Sequence, residues 1–278
     1  MTTARELIDR ILQRAAAQGT AEPTTPSRRD TIKVGDPDTQ VTGVITTGMT
    51  TFDILKRAVA AKCNFIIPHE DTWFRDSDIA ADYVEGDPIY EAKLKYARDH
   101  GLVIWRNHDL THRMAPDQMM EGLLRQFGWT VDPGHEVSIR RLPVVTLPQP
   151  TTLEALVRDL VQRTGMHSYR VAGDPGMTVR KVAVGVGYAY PNWLIGPDID
   201  VLVGGESAEG SDGNSPSYDL TAYAADSTAL GRPRGVVLLG HMGTEDIGMQ
   251  VVAEWIRSFT PEVPITYMPA GEPFARPI

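Results

Sequence analysis

Seven histidines fall in this 278-residue chain, and four of them, His69, His108, His112 and His241, lie in stretches that follow apolar runs. His69-Glu70 comes after Phe65-Ile66-Ile67-Pro68, and His108, with His112 four residues on, comes after Leu102 to Trp105. His241 comes after Val236 to Leu239, with Glu245 four residues on. Residues four apart share a face of a helix, a common way to present two donors to one cation. Imidazole nitrogen mixed with carboxylate oxygen suits zinc, manganese, iron, nickel or cobalt better than calcium or magnesium. A carboxylate can also bridge two cations about 3.5–4 Å apart, the arrangement of two-metal hydrolases. Glu206, after Val201 to Val203, is a third acidic candidate, either as a general base or as an anchor for the loop that follows. Asp109, beside His108, has the position of a partner that orients an imidazole. His100 falls at a helix end, where a histidine interacts favourably with the helix C-terminus, and His135 and His167 read as turn or surface residues.

The elements that would position these groups alternate between strand and helix patterns. Strands are expected over 41–46, 64–68, 102–105, 142–147, 169–172, 181–186, 200–203, 236–239 and 265–268. Helices are expected over 3–17, 52–63, 88–100, 117–127, 151–164 and 244–259. Thr50 with Asp53, and Thr151 with Glu154, read as capping boxes; Pro88 opens a helix that Gly101 ends, and Gly128 and Gly165 stop two others. Residues 19–38, rich in Pro, Thr, Gly and charge, read as a linker or extended arm, and 204–219 as a polar loop shaping an entrance. Strands separated by helices of this length indicate βαβ units and largely parallel sheets. In such sheets ligands bind beyond the carboxyl ends of the strands. His69, His108, Glu206 and His241 all follow strand ends. The expected organisation is an N-terminal helix and arm over 1–38, a first α/β lobe over 39–135 and a second over 136–278. Gly185-Val186-Gly187 lacks the third glycine and the helix of a dinucleotide fingerprint.

Composition narrows the partners. Hydrophobic residues make up 42% and charged residues 23% of the chain, and the net charge is -9. An acidic surface disfavours nucleic acid, so Trp105 and Trp129 read as core or pocket walls rather than base-stacking platforms. No apolar run approaches the ~20 residues that span a bilayer. The charged residues among Met1–Ala17 fit an amphipathic helix and not a signal peptide, which makes the cytoplasm the expected compartment. The one cysteine, Cys63, excludes an internal disulfide and a CxxC zinc site, and reads as a small buried filler.

The order of these motifs resembles the Nif-three-like family, also known as GTP cyclohydrolase 1 type 2 homologues. A strand enters His69-Glu70 and another enters His108-x-x-x-His112. Val203-Gly204-Gly205-Glu206 follows, and Gly240-His241-x-x-x-Glu245 opens a helix. The likeness runs from about Val41 to the C-terminus. Where the family pattern has a second histidine this chain has Glu70, and where it has an aspartate this chain has His112, so two ligand types are exchanged while three histidines and two carboxylates remain. The resemblance implies a two-lobed α/β fold with largely parallel or mixed sheets flanked by helices, a centre of two divalent ions between the lobes, and a toroidal homohexamer. His69, Glu70, His112, His241 and Glu245 would then hold the metals, His108 would be a further ligand or proton shuttle, and Glu206 a general base. The function expected on that basis is metal-dependent hydrolysis of a small polar or nucleotide-like molecule. A non-catalytic metal-binding scaffold or regulator is the alternative.

Overall fold

The computed structural model describes residues 2–18, 20, 27–74, 86–138, 142–188, 198–206 and 217–274. The chain forms two α/β units, each with its own sheet. One comprises Met1–Gln118 and Gly248–Ala270, the other Met119–Ile247 and Gly271–Ile278.

In the first unit the sheet runs β1 (Ile32–Val34), β4 (Val103–Trp105), β3 (Phe65–Pro68), β2 (Val44–Thr47), β10 (Ile265–Tyr267). β4, β3, β2 and β10 are parallel and β1 is antiparallel to β4. All four residues of β2 and of β3 are buried, as expected for parallel strands covered on both faces. Ile45 and Ile66 pack with Ile54, Leu55, Ala58 and Ala97 of the flanking helices α2 (Phe52–Ala60) and α3 (Pro88–Asp99). Cys63 lies in this core. Helix α1 (Ala4–Ala17) begins with a capping box between Thr3 and Glu6 and buries Leu7, Ile11 and Ala15.

In the second unit the sheet runs β5 (Val144–Thr152), β7 (Thr178–Val184), β8 (Val201–Gly204), β9 (Gly235–Leu238), β6 (Arg170–Ala172). The three central strands are parallel and the two edge strands antiparallel to their neighbours. Leu202, Val236 and Leu238 pack against Leu220 and Ala224 of α7 (Ser217–Ala229). On the other elements, α6 (Leu153–Thr164) buries Leu153, Leu156, Val157 and Leu160, and ends at Gly165, whose φ of 71° is the left-handed region a glycine adopts without strain.

Several sequence expectations are corrected. The arm over 19–38 contributes β1 to the first sheet; residues 19 and 21–26 lie outside the described residues. Thr51 and Thr152, one position after the threonines expected, are the N-caps, accepting from the N–H groups of Ile54 and Ala155. The expected polar loop over 204–219 ends in the first turn of α7, and its residues 207–216 lie outside the described residues. The single helix expected over 244–259 is two: α8 (His241–Glu245) in the second unit and α9 (Gly248–Arg257) in the first. Gly248, a poor helix residue, starts the second piece. Among the described residues no helix is long and apolar enough to cross a membrane.

Candidate metal centre

In the first unit the parallel ladder continues past the strand ends and fixes the backbone of the candidate donors. His69 N–H donates to Thr47 O (3.0 Å), Glu70 N–H to Gly48 O (2.7 Å) and Asn107 N–H to Pro68 O (2.9 Å). The chain then turns into a five-residue helix, α4 (Asp109–Arg113), which the sequence patterns did not announce. Its N-cap, His108, makes no side-chain capping bond. That role falls to Asp30 in the arm, whose carboxylate accepts from the N–H groups of His108 (2.7 Å), Asp109 (2.9 Å) and Leu110 (2.8 Å). The arm also supplies Ser27 and Arg29 to the Asp109 carboxylate.

This framework brings His69, His108 and His112 together. Their rings lie 4.4–5.0 Å apart, centroid to centroid, and one nitrogen from each falls within 4.8 Å of the others. Nitrogens bound tetrahedrally to one zinc-like ion sit about 3.3 Å apart, so inward shifts of about 1 Å per ring suffice.

Each imidazole is also held by its Nδ1. His108 Nδ1 meets Asp109 Oδ1 and His112 Nδ1 meets Asp117 Oδ2, both at 2.9 Å. Thr111 Oγ1 donates its one proton to His108 O (2.6 Å), so it accepts at His69 Nδ1 (3.3 Å). A proton on Nδ1 leaves the lone pair on Nε2, the tautomer that a carboxylate behind a metal-bound histidine enforces. Burial pushes the His108 imidazole below its ordinary 6.5; His69 adds to this, while Asp109 and Glu70 oppose it. The neutral form is the one that ligates. The hydrogen bond with His108 in turn holds the Asp109 carboxyl well below its ordinary 3.8, against its own burial.

Glu70 enters the cluster differently. Its Oε2 pairs with Arg106 Nη2 at 2.7 Å, and its Oε1 lies 3.6 Å from His108 Nε2. The Arg106 side chain is 0% exposed, and its Nε donates to His69 O (3.0 Å). Asn107 is fully buried beside it, and its amide finds no hydrogen-bond partner among the described residues.

In the second unit the ends of β7, β8 and β9 assemble the other donors. Glu206 N–H donates to Gly187 O, and Gly240 N–H to Gly205 O, both at 2.7 Å. Thr244 Oγ1 donates to His241 O (2.9 Å) and accepts from Gly187 N–H (3.0 Å). His241 carries a carboxylate on each ring nitrogen: Glu206 Oε1 2.8 Å from Nδ1, and Glu245 Oε2 2.9 Å from Nε2. A Cβ on Gly187 would stand 2.5 Å from Glu245 Oε1 and 3.1 Å from His241 Nε2. The site is therefore built around the absence of a side chain there.

The first unit thus gathers His69, Glu70, His108 and His112, and the second gathers Glu206, His241 and Glu245. His100 stacks on Tyr96 at its helix end, and His167 pairs with Glu272. Sequence reasoning missed Asp30, Arg106 and Asp117. Asp117 carried a weak signal, five residues after His112. Arg106 carried none, since a charged residue is ordinarily read as exposed. Beyond Glu70 the chain runs into the wall of a cavity of about 390 Å³, lined by Met49, Phe52, Asp71, Phe74, Ala92 and Lys93 among others. Burial, and then the Glu70 carboxylate, push the Asp71 carboxyl above its ordinary 3.8.

The family described as Duf34/NIF3 (NGG1p interacting factor 3) matches residues 21–270. Similar solved structures include a Bacillus cereus protein related to NIF3, with 14% identity, 99% of each chain covered and a TM-score of 0.74. Staphylococcus aureus protein SA1388 follows with 15% identity, 99% of each chain and a TM-score of 0.72. Reduced HcgD from Methanocaldococcus jannaschii has 15% identity, 96% of this chain and 97% of that one, and a TM-score of 0.60. At these identities the likeness concerns the fold. No curated protein matches the chain by sequence.

Proposed function

Because the chain belongs to the DUF34/NIF3 family, we propose that it binds divalent metal ions and acts as a metal-dependent hydrolase on a small polar or nucleotide-like substrate. The observation that carries this reading is the three-imidazole cluster with two of its Nδ1 atoms held by Asp109 and Asp117. That is the donor chemistry of zinc, cobalt, nickel, iron or manganese. In this reading His69, His108 and His112, with Glu70 beside them, and His241 with Glu245, hold up to two ions per chain. A bound ion supplies Lewis acidity and activates water for attack. Glu206 orients His241 through Nδ1, and its second oxygen accepts the proton released in that attack. The apolar cavity next to the His69 loop is of a size that takes a small molecule. Assembly into a hexamer, implied by the resemblance, belongs to the same proposal.

The test is elemental analysis of untagged protein, followed by hydrolysis assays on phosphoesters, cyclic nucleotides and pterin precursors. At least one zinc-, manganese-, iron-, nickel- or cobalt-type ion per chain is expected, with metal-dependent turnover of one class. Less than one ion per chain refutes the reading, and full occupancy without turnover favours the non-catalytic binding role.

A further inference from the structure

We propose that the cavity beyond Glu70 in the first unit receives an uncharged, planar heteroaromatic ring system that carries both a hydrogen-bond donor and an acceptor. The proposal rests on the reading of that cavity as the place of the substrate, and it names the substrate's class.

Four observations converge. The first is position. Met49 to Thr51 follow the end of β2, and Asp71 to Phe74 follow the end of its parallel neighbour β3. These stretches, with the starts of α2 and α3, line the cavity. Crevices beyond the carboxyl ends of parallel strands are where ligands sit in such sheets. The second is size and surface. A volume of about 390 Å³ lies at the small end of ligand cavities, about 300–1,000 Å³, and suits one or two fused rings. Met49, Phe52, Phe74 and Ile89 supply apolar wall, and Phe52, Phe74 and Ile89 remain 44%, 51% and 67% exposed. Two phenyl rings and a thioether favour a flat aromatic guest over an aliphatic one, through stacked, edge-to-face and sulfur–ring contacts. The third is the way Phe74 is held. Its φ of 64° falls in the left-handed region, which a bulky side chain ordinarily avoids and which persists where surrounding contacts over-determine it, as at ligand clamps. Lys93 is the fastening: buried, it donates from Nζ to Thr72 O (2.5 Å) and stands over the Trp73 and Phe74 rings, 5.5 and 4.8 Å from their centroids. The fourth is polarity. Thr50 is fully buried, and its Oγ1 finds no hydrogen-bond partner among the described residues. A buried hydroxyl left unpaired is costly, and it can both donate and accept; a ring N–H or carbonyl seated against Thr50 supplies the partner. Asp71 and Lys93 put one acidic and one basic group on the wall, so neither sign is in excess to draw an ion.

The test uses the full chain stripped of metal with a chelator and titrated with three probes of similar size. Quinazolinone is a fused aromatic ring with an N–H and a carbonyl, naphthalene is its apolar counterpart, and octahydroquinolinone is an aliphatic bicyclic lactam. Saturation-transfer NMR measures binding, and methyl NMR of labelled methionine and isoleucine locates it. Quinazolinone is expected to bind and to shift the Met49 and Ile89 methyl signals, and the aliphatic lactam to bind at least about threefold more weakly. Thr50→Val, which keeps the shape of the side chain, should weaken quinazolinone by about three- to tenfold, the worth of one hydrogen bond. It should leave naphthalene within about twofold and, without any probe, should not lower the melting temperature. Ala92→Trp, at an exposed position on α3, fills the cavity and should abolish binding of all three. No binding of quinazolinone, binding that leaves Met49 and Ile89 unmoved, equal affinity for the aliphatic lactam, or equal effects of Thr50→Val on quinazolinone and naphthalene overturns the inference. A lower melting temperature for Thr50→Val overturns it too, because the hydroxyl would then have a partner within the fold. Metal uptake is measured separately: uptake without probe binding overturns the inference and leaves the metal-binding reading standing, whereas Thr50-dependent probe binding by a chain that takes up no metal overturns that reading and leaves the ring site.

Discussion

Asp30→Ala removes one side chain and strips three backbone N–H groups of their acceptor. Oδ1 serves His108 and Asp109, and Oδ2 serves Leu110; Arg113 lies 3.9 Å from Oδ2, and the Asp30 side chain is 7% exposed. Losing an ordinary N-cap side chain costs about 0.5–2 kcal/mol. A further hydrogen bond to a charged group adds about 1.5–3 kcal/mol, discounted where water reaches the freed N–H groups. The expected loss is about 3 kcal/mol, roughly a hundredfold in the folding equilibrium. Asp30→Asn, which keeps one acceptor oxygen but turns an NH2 toward a donor, should lose about half as much. Urea unfolding followed by circular dichroism measures the loss, provided the m-value is unchanged. Amide hydrogen exchange at residues 108–110 locates it. An Asp30→Ala protein within about 0.5 kcal/mol of the parent, the range of an unremarkable surface change, with unaltered exchange at 108–110, would refute the idea that the arm holds α4.

Two other perturbations test the second unit. Gly187 has a φ of 56°, where a side chain costs about 1–2 kcal/mol, and its Cβ would also meet Glu245 and His241. Gly187→Ala should therefore destabilise the protein by at least that amount in urea, and a curve that superposes on the parent would count against the close approach. At Asp132 burial pushes the carboxyl up, but hydrogen bonds from Thr146 N–H (2.8 Å) and Oγ1–H (2.6 Å) outweigh it and hold the group below its ordinary 3.8. A carboxyl lowered on folding stabilises the fold above the unfolded value, and the contribution vanishes as pH falls through the folded one. The difference in unfolding free energy between parent and Asp132→Asn should shrink as pH drops below about 4, and a difference constant from pH 6 to pH 2.5 would exclude it.

Much of this architecture is legible in the sequence because period and punctuation agree. β-branched runs such as Val44–Thr47 and Val201–Val203 can only be buried strands once the helices between them are recognised, and the strand-end rule then places His69, His108, Glu206 and His241 correctly. What escaped did so for physical reasons. Helix α7 reads Ser-Tyr-Asp-Leu-Thr-Ala-Tyr-Ala-Ala-Asp-Ser-Thr-Ala, and buries Leu220, Ala224 and Ser227, a stripe too small and polar to register as an apolar face. Strand β1 lies among prolines and charges, and its pairing with β4 is a tertiary fact that no local pattern carries. Arg106 and Asp30 owe their importance to partners 36 and about 80 residues away.

The order in which the strands of the first sheet appear along the chain bears on biosynthesis. Its edge strand β10 pairs with β2, Ile265 opposite Val44, while every strand of the second sheet lies between them. A ribosome therefore releases the whole second sheet before the first can be finished. Until β10 emerges, β2 presents an unpaired, apolar edge of the kind that recruits other chains. The entropic cost of bringing the two strands together grows only slowly with the length of the intervening chain, by about 0.6 kcal/mol per doubling. The delay in closing that edge, more than its thermodynamic cost, sets how long a nascent chain is open to aggregation.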